Sequence, residues 1–208
     1  LYSNNQIRHY TALDGLTDNH INTITHDQNG NIWIGSKSGI DKLKKEENGA
    51  INIWQIRNEE IADIDVMDIL EDKNGNLWIS TNKEGLLKYN PKGPTYFPYD
   101  QAWQLKDASS IWFAAEGQGV IKFNGAEFLT YTTQQGLGSN DVSDIIQDHQ
   151  NNLWFAGGNT LSKFDGGYFT HYTSEQGFPP LKTWGLEVDT KNNIWTGSWN
   201  NGVVRFDG

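Results

Sequence analysis

The 208-residue chain contains no cysteine, which excludes disulfide bonds, thiolate metal ligands and a cysteine nucleophile. No apolar run approaches the roughly 20 residues that a transmembrane helix needs, so we expect no membrane insertion within this segment. Basic blocks are also missing, and 16 Lys and Arg face 26 Asp and Glu. Because phosphate backbones are bound through clustered Lys and Arg, nucleic acid is not an expected partner.

The sequence also lacks the pattern of an amphipathic helix, because no stretch has apolar residues at i, i+3, i+4 and i+7 over three turns. Aromatic residues and glycine are abundant instead, with 9 Trp, 8 Tyr, 9 Phe and 22 Gly. Aromatic side chains favour pleated, half-buried surfaces, and glycine favours tight turns. The composition therefore predicts an all-β chain.

One short pattern recurs five times: a polar residue, an apolar residue, Trp, a further residue that is usually apolar, and a small residue. The five anchors are Trp33, Trp78, Trp112, Trp154 and Trp195, spaced by 34 to 45 residues. Self-similarity at this period is typical of a propeller with about four strands per blade. We therefore predict one domain, residues 1–208, that forms a five-bladed β-propeller of four-stranded antiparallel blades.

The fourth repeat shows the expected order of strands, here called A to D, at 141–148, 153–156, 161–164 and 168–172. Alternating apolar residues and intervening turn residues predict antiparallel hairpins. Strand C carries a basic residue at the same position in each repeat, which we expect on a solvated or ion-paired face. These residues are Lys42, Lys88, Lys122, Lys163 and Arg205.

The A–B turns have two interpretations. Their sequence, for example 27–31, contains Asp, Asn and Gly, which form tight turns at low conformational cost. The spacing Asp27-x-Asn29-x-Asn31 also resembles the start of a calcium loop. The matching positions are Gln150 and Lys191 in two other repeats, and no Glu follows in register, so the turn is favoured and no metal is predicted.

The two termini are complementary. The chain ends on a strand C at 203–206 with no strand D after it, and it begins with a D-like segment at 5–11. We predict that the N-terminal strand completes the last blade and closes the ring, because closure removes two exposed sheet edges. The alternative is a piece of a longer array whose ends match only because all repeats match.

From Tyr10 to Ile40 the sequence reads Y-x4-G-L-x2-N-x-I-x2-I-x2-D-x2-G-N-I-W-I-G-x3-G-I, and residues 136–148 repeat its first half closely. This pattern resembles the two-component regulator propeller repeat, and the resemblance covers the whole chain. It implies a sensor role in signal transduction and a periplasmic or extracellular location. Many proteins of that family are linked to glycan sensing. The chain departs from them in having five repeats and no kinase, regulator or transmembrane segment.

Candidate site residues come from positions where the repeats differ. Alignment on Asp27, Asp72, Asp107, Asp148 and Asp189 gives a first row seven positions earlier: His20, Asp65, Asp100, Asp141 and Lys182. The second row, four positions earlier, is Thr23, Asp68, Trp103, Asp144 and Gly185. With strand A innermost, these rows are expected at the mouth and wall of a central channel, which either holds water or binds a ligand.

Trp184 and Trp199 both lie outside the repeat pattern, and Asn200 follows Trp199. A Trp ring covers the apolar face of a sugar while amides and carboxylates bond its hydroxyls. The alternative for Trp184 is that it caps a blade interface. The predicted ligand-binding residues are His20, Asp65, Asp68, Asp141, Asp144, Lys182, Trp184, Trp199 and Asn200.

Three functions remain open from the sequence. The leading hypothesis is a non-catalytic binding or sensor propeller that recognises a glycan or another polar ligand through its B–C and D–A loops, without a cofactor. A glycoside hydrolase or polysaccharide lyase could instead use inner-strand carboxylates, which need a defined separation. The third hypothesis is a scaffold that binds a protein partner.

Overall fold

The computed structural model describes residues 7–57, 61, 63–90, 93–97, 102–107, 110–115, 117–180, 182–198 and 202–207. Their regular structure consists of strands and short 3-10 helices, and the strands pair into five antiparallel sheets in chain order. We number these sheets as blades 1 to 5. The predicted all-β class is therefore confirmed. Within the described ranges, no helix is both long enough and apolar enough to span a membrane.

The strands of each blade follow the predicted order A to D. Blade 1 contains β1 (Ile21–His26), β2 (Ile32–Ser36), β3 (Gly39–Lys45) and β4 (Ile51–Gln55). Blade 2 contains β5 (Val66–Glu71), β6 (Leu77–Thr81), β7 (Leu86–Asn90) and β8 (Gly93–Phe97). Blade 3 contains β9 (Ala102–Asp107), β10 (Ile111–Ala115), β11 (Gly119–Phe123) and β12 (Phe128–Tyr131).

The last two blades differ in their number of described strands. Blade 4 contains β13 (Val142–Gln147), β14 (Leu153–Gly157), β15 (Thr160–Phe164) and β16 (Phe169–Tyr172). Blade 5 contains β17 (Thr183–Val188), β18 (Ile194–Ser198) and β19 (Gly202–Phe206). The A strands of successive blades lie side by side, so strand A forms the inner edge of each sheet.

One aspartate organises each A–B turn and also holds the repeat Trp. The Asp27 Oδ1 atom accepts hydrogen bonds from the backbone N–H groups of Asn29 and Asn31. Its Oδ2 atom accepts bonds from Asn31 Nδ2 and from Trp33 Nε1 at 3.0 Å. The same arrangement recurs at Asp72, Asp148 and Asp189. Since these carboxylate oxygens are already engaged, the structure favours the turn interpretation over the calcium loop.

The periodic basic residue of strand C lies over the Trp ring of its own blade. In blades 1 to 4 the Lys Nζ atom is 4.9 to 5.4 Å from the ring centroid, as expected for a cation–π contact. The Lys42 Nζ atom also lies 4.0 Å from Asp27 Oδ2, and in blade 5 the Arg205 Nη2 atom lies 3.0 Å from Asp207 Oδ2. The charge therefore stabilises the blade locally. An ion-paired face was one of the predicted alternatives, whereas the contact with the Trp ring was not predicted.

Neighbouring blades pack through two different faces. The front face carries the strand B Trp and the first apolar residue of strand C, and the back face carries apolar residues of strands A and B. At the interface of blades 1 and 2, Trp33 and Ile40 of the front face pack against Val66, Ile69 and Leu77 of the back face. Equivalent residues form the other three interfaces. The hydrophobic core is thus a series of layers between blades.

The small residue after each Trp sets the distance between two blades. A Cβ atom added to Gly35 would collide with the Val66 Cγ1 atom and would lie 2.7 Å from Thr23 Cγ2. At Gly197, in the last blade, an added Cβ atom would meet nothing within 4 Å. A Cβ atom is therefore excluded at Gly35 but not at Gly197, and the equivalent positions in blades 2 to 4 hold Ser80, Ala114 and Ala156.

We expect Gly35→Ala to lower the free energy of unfolding by about 1–3 kcal/mol, because overpacking forces the two blades apart. Gly197→Ala is the matched control and should leave stability nearly unchanged. Urea unfolding of both variants, followed by circular dichroism at low protein concentration, measures the difference. Equal losses for the two variants would contradict the packing described here.

The two outermost faces of the five-blade stack are exposed. On the back face of blade 1, Ile24 is 66% exposed and Ile32 is 41% exposed, whereas their equivalents in blades 2 to 5 are at most 7% exposed. On the front face of blade 5, Trp195 is 37% exposed and Val203 is 67% exposed, and their equivalents are at most 6% exposed. The predicted closed ring is therefore not confirmed.

The predicted pairing of the N-terminal strand with the last blade is not confirmed either. Residues 7–11 are described and belong to no strand, so they do not pair with β19, while 1–6 lie outside the described residues. Tyr10 packs against Leu16, Ile34 and Leu43 of blade 1, as the equivalent Tyr131 packs at the interface of blades 3 and 4. In the described part of the chain, blade 5 is thus a three-stranded sheet.

Candidate functional site

The loops lie at two ends of the blades because the strands alternate in direction. The A–B and C–D turns form one end, which we call the turn end. The B–C loops and D–A connections form the other, which we call the variable end. A 3-10 helix lies in the segment before β1, at Ala12–Asp14, and in two of the D–A connections, at Thr133–Gln135 and Ser174–Gln176. Each is capped by a Thr and ends at a glycine with positive φ, so these connections have defined geometry.

Hydrogen bonds join the B–C loops to the D–A connections. The Lys37 N–H donates to the His20 carbonyl, and the Asn82 N–H donates to the Asp65 carbonyl. Ser38 Oγ donates to Asp18 Oδ2 at 2.6 Å. The variable end of the first two blades is therefore braced rather than loose.

The first predicted row lies at the inner edge of the variable end. His20, Asp65, Asp141 and Lys182 each come directly before the first residue of a strand A. His20, Asp141 and Lys182 are exposed, and they differ in charge from blade to blade. Asp100 lies outside the described residues. The described members thus present unlike polar groups around one end of the inner strands.

Asp65 differs from the rest of that row because both of its carboxylate oxygens are engaged. Asn22 Nδ2 donates to Asp65 Oδ1 at 3.1 Å, and Asn82 Nδ2 donates to Oδ2 at 3.0 Å. Asn22 belongs to blade 1, whereas Asp65 and Asn82 belong to blade 2. Asp65 therefore links two blades at the variable end.

Asp68, of the second row, connects three blades. Its Oδ1 atom accepts a bond of 3.0 Å from Thr23 Oγ1 in blade 1 and a bond of 2.8 Å from its neighbour Ile69 N. Its Oδ2 atom accepts a bond of 3.0 Å from Leu105 N in blade 3. Burial raises the pKa of Asp68 above its ordinary value, and these hydrogen bonds only partly offset that rise.

Asp144 forms the same kind of link between blades 4 and 5. Its Oδ2 atom accepts a bond of 2.6 Å from Leu186 N, and its Oδ1 atom accepts one of 2.8 Å from Ile145 N. Burial raises the pKa of Asp144 as well, and it is opposed by these bonds and by Lys106. The negative charge of Asp144 also contributes to the raised pKa of Asp68.

The sequence analysis missed the residues at a bulge that recurs in strand A. The register with strand B shifts between Val66 and Asp68, and the other blades show the same irregularity. The bulge residue Asn22 donates to the Val66 carbonyl at 2.7 Å, and Ser143 donates to the Thr183 carbonyl at 3.0 Å. Asn22 and Ser143 hold the same position of the repeat, and this is the sequence feature from which a common role could have been predicted.

Trp184 occupies this bulge position in blade 5 and is 45% exposed. Its exposure is compatible with either of the roles considered for it. The other predicted aromatic residue, Trp199, and its neighbour Asn200 lie outside the described residues. The described part of the site therefore consists of His20, Asp141, Lys182 and Trp184, with Asp65, Asp68 and Asp144 engaged between blades.

Blade 3 requires a correction of the repeat alignment. Asp107 pairs with Ile111 in the way that Glu71 pairs with Leu77, so Asp107 belongs to strand A rather than to the turn. The second row is consequently occupied by Gln104 in this blade and not by Trp103. The shorter A–B turn of blade 3 hid this shift of one residue.

Two described cavities lie at the turn end, opposite to the predicted site. One of about 380 Å³ lies between blades 1 and 2 and is lined by Trp33, Lys42 and Tyr89 among others. The second, of about 260 Å³, lies at the equivalent place between blades 2 and 3 and includes Trp78 and Lys88. Their recurrence indicates that they arise from blade packing. Among the described residues, no three His, Asp or Glu side chains gather as a metal site.

Comparison with known proteins supports the fold. The chain is 18% identical to the extracellular domain assigned to a one-component system of B. thetaiotaomicron, with a TM-score of 0.70 over 92% of this chain and 30% of that one. It is 17% identical to virginiamycin B lyase from Staphylococcus aureus, with a TM-score of 0.65 over 90% of this chain and 69% of the lyase. Both similarities concern the fold alone.

Sequence comparison identifies the repeat. Over 164 residues the chain is 28% identical to a protein named Histidine kinase P4 from Formosa agariphila. The aligned segment covers 71% of this chain and 12% of that protein. The family model described as "Two component regulator propeller" matches residues 15–38, 60–83 and 136–159, within the first, second and fourth repeats. The chain therefore carries repeats of the two-component regulator propeller family.

Proposed function

We propose that this propeller acts as a single non-catalytic sensor unit in the periplasm or outside the cell, and that it recognises a glycan or another polar ligand at its variable end. The observation that carries the proposal is the set of unlike, exposed side chains at the inner ends of strand A, namely His20, Asp141 and Lys182. A protein named as a histidine kinase and the extracellular domain assigned to a one-component system are among the proteins that resemble this chain.

The variable end has the chemistry that sugar recognition needs. Charged groups bond hydroxyls, and a half-exposed indole such as Trp184 offers an apolar surface to a sugar ring. The braced loops keep these groups in place, which lowers the entropic cost of binding. At the turn end, by contrast, the recurring aspartates are engaged by the turns themselves.

The hydrogen bonds of the inner-strand carboxylates Asp68 and Asp144 argue against a catalytic role for these two groups. A general acid or a nucleophile must reach the reacting atoms of a substrate. Asp68 and Asp144 instead accept backbone hydrogen bonds from the next blade on Oδ2 and from their own strand on Oδ1. Their substitution should therefore reduce stability before it reduces any activity.

Binding to a glycan microarray, followed by titration calorimetry with the glycans that bind, tests the proposal. We expect His20→Ala and Lys182→Ala to weaken binding about tenfold or more, equivalent to one lost polar contact each. His149→Ala and Lys191→Ala are matched controls, because both residues are exposed in A–B turns at the turn end. They should bind like the wild type.

Two results would contradict the proposal. The first is an absence of binding to every glycan on the array together with retained binding of a co-purified protein, which would favour the protein-scaffold function. The second is an equal loss of affinity in the variable-end variants and the turn-end controls.

A further inference from the structure

The interface of blades 1 and 2 differs from the next three interfaces in its aromatic residues. In blades 2, 3 and 4 a strand D residue stacks on the Trp of its own blade, with 5.4 to 5.9 Å between ring centroids and 17 to 25° between ring planes. The stacked residues are Phe97, Tyr131 and Tyr172. Each pairs with the first apolar residue of strand C, and in blade 1 the residue that bonds to the equivalent Ile40 is Ile56. Among the described residues, Trp33 therefore has no stacked ring of this kind.

The larger of the two turn-end cavities lies at this place. It measures about 380 Å³ and reaches Ile56, whereas its equivalent between blades 2 and 3 measures about 260 Å³. Trp33 and Leu77 form other apolar parts of its wall. Small-molecule pockets have volumes of about 300–1,000 Å³, so the cavity is large enough for one aromatic ring.

A stacked ring is compatible with the Lys that lies over each repeat Trp. Trp78 stacks on Phe97 at 5.8 Å while the Lys88 Nζ atom lies 5.2 Å from the centroid of the same Trp. Trp33 has the equivalent Lys42 at 4.9 Å. A ring that enters the cavity can therefore stack on Trp33 without displacing Lys42.

The wall of this cavity also offers a hydroxyl that the equivalent positions lack. Tyr89 of strand C lines the cavity, and its position holds phenylalanine in blades 3 to 5, namely Phe123, Phe164 and Phe206. Outside the cavity, Trp54 pairs in register with Lys42 and is 42% exposed. Apolar surface therefore continues from Lys42 to the outer strand of blade 1.

We propose that the cavity between blades 1 and 2 binds a ligand that carries a phenyl or phenol ring, which stacks on Trp33 beside Ile56. The Tyr89 hydroxyl bonds the polar substituent of a phenol. Such a ring belongs either to a free aromatic compound or to a Phe or Tyr side chain of a peptide. The site lies at the turn end, so it is separate from the glycan site proposed at the variable end.

NMR of the indole N–H groups of the wild-type chain, with p-cresol as the probe, tests the site. We expect the Trp33 resonance to shift with a dissociation constant of about 1 mM or lower, within the range open to a ligand of this size. Trp154 is the internal control and should not shift, because Tyr172 already stacks on it. A shift of Trp33 by methyl glucoside but not by p-cresol would overturn the proposal.

Two variants test the residues of the cavity. Ile56→Phe supplies the missing ring and should abolish the shift caused by p-cresol, whereas Ile56→Leu is the control of similar volume and should bind like the wild type. Tyr89→Phe should weaken p-cresol binding about fivefold and leave toluene binding unchanged, because one hydrogen bond is lost. It introduces the residue type of blades 3 to 5, so we expect it to fold. Undiminished p-cresol binding by either Phe variant would overturn the proposal, and so would an unshifted Trp33 resonance in the wild type, whatever the outcome of glycan binding.

A blocked peptide with one central Tyr distinguishes the two sources of the ring. If it shifts the Trp33 resonance at a concentration about tenfold lower than p-cresol does, the ring belongs to a peptide side chain that gains further contacts, such as the exposed Trp54. Equal or weaker binding of the peptide assigns the site to a free aromatic compound.

Discussion

Replacing Trp112 by alanine is expected to lower the free energy of unfolding by about 3–5 kcal/mol, the usual cost of removing a buried Trp. Trp112 is only 1% exposed and stacks on Tyr131 with 5.4 Å between ring centroids. It also contacts Phe155 and Phe164 of the next blade at 5.8 and 5.5 Å. The substitution therefore leaves a cavity in the interface between blades 3 and 4.

Trp195→Ala is the control for this prediction. Trp195 holds the equivalent position in blade 5 but is 37% exposed, so less surface returns to water when it is removed. We expect its loss of stability to be less than half of that caused by Trp112→Ala. Urea unfolding followed by far-ultraviolet circular dichroism at low protein concentration compares the two. Equal losses would show that the front face of blade 5 is covered like the internal ones.

Replacing Asp72 by alanine is expected to cost about 2–4 kcal/mol, because one carboxylate satisfies several donors. Its Oδ1 atom accepts bonds from the backbone N–H groups of Asn74 and Asn76, and its Oδ2 atom accepts bonds from Asn76 Nδ2 and Trp78 Nε1. Trp78 is 1% exposed, so its indole N–H would be left buried without a partner. The A–B turn of blade 2 would lose its organising group at the same time.

Asp189→Ala provides the matched control in blade 5. Asp189 makes the same bonds to its turn and to Trp195 Nε1, but this indole is partly exposed and water can replace the carboxylate. The loss of stability should therefore be clearly smaller than for Asp72→Ala. A larger loss for Asp189→Ala would contradict the role assigned to burial of the Trp.

The same comparison has a defined pH dependence. Burial pushes the pKa of Asp72 upward, but the hydrogen bonds from Trp78 and Asn76 outweigh it and hold the pKa below its ordinary value. A lowered pKa in the folded state contributes stability that is complete above the unfolded value of about 3.9 and is lost as the pH falls below it. The difference between wild type and Asp72→Ala should thus be largest near neutral pH and shrink below about pH 4.

Asp68 and Asp144 should behave in the opposite sense. Burial raises the pKa of both carboxyl groups, so their ionised forms are disfavoured in the folded protein. Protonation through the raised pKa relieves this cost as the pH falls, and it partly offsets the loss from the turn aspartates. Unfolding curves measured between pH 7 and pH 3 for the wild type and for Asp72→Ala resolve the two contributions.

The repeat, the order of strands and the A–B turns could be predicted from the sequence because they depend on neighbouring residues. Alternation around Trp154 places strand B, and the spacing of Asp148, Asn152 and Trp154 already contains the donors and acceptor of the turn. The repeat alignment was wrong by one residue in blade 3, because the A–B turn is shorter there and Asp107 belongs to strand A rather than to the turn.

The roles of the inner aspartates were decided by the tertiary structure. The sequence placed Asp65, Asp68 and Asp144 near the inner edge, but their partners Asn22, Leu105 and Leu186 belong to other blades. Sequence spacing within one repeat carries no information about bonds between repeats. The sequence also grouped His20, Asp141 and Lys182 with these aspartates, and only the fold distinguishes these three exposed side chains from the carboxylates that bridge blades.

The sequence by itself determined that this chain is a series of β-blades with layered aromatic interfaces, since local alternation, turn chemistry and a repeated Trp specify each blade. Only the tertiary structure decided how deeply each repeated Trp is buried. Trp33 and Trp195 are equivalent in sequence, but one is buried by blade 2 and the other remains half-exposed. The burial of a Trp depends on which blade lies opposite to it. The sequence of a single repeat therefore does not determine how deeply its Trp is buried.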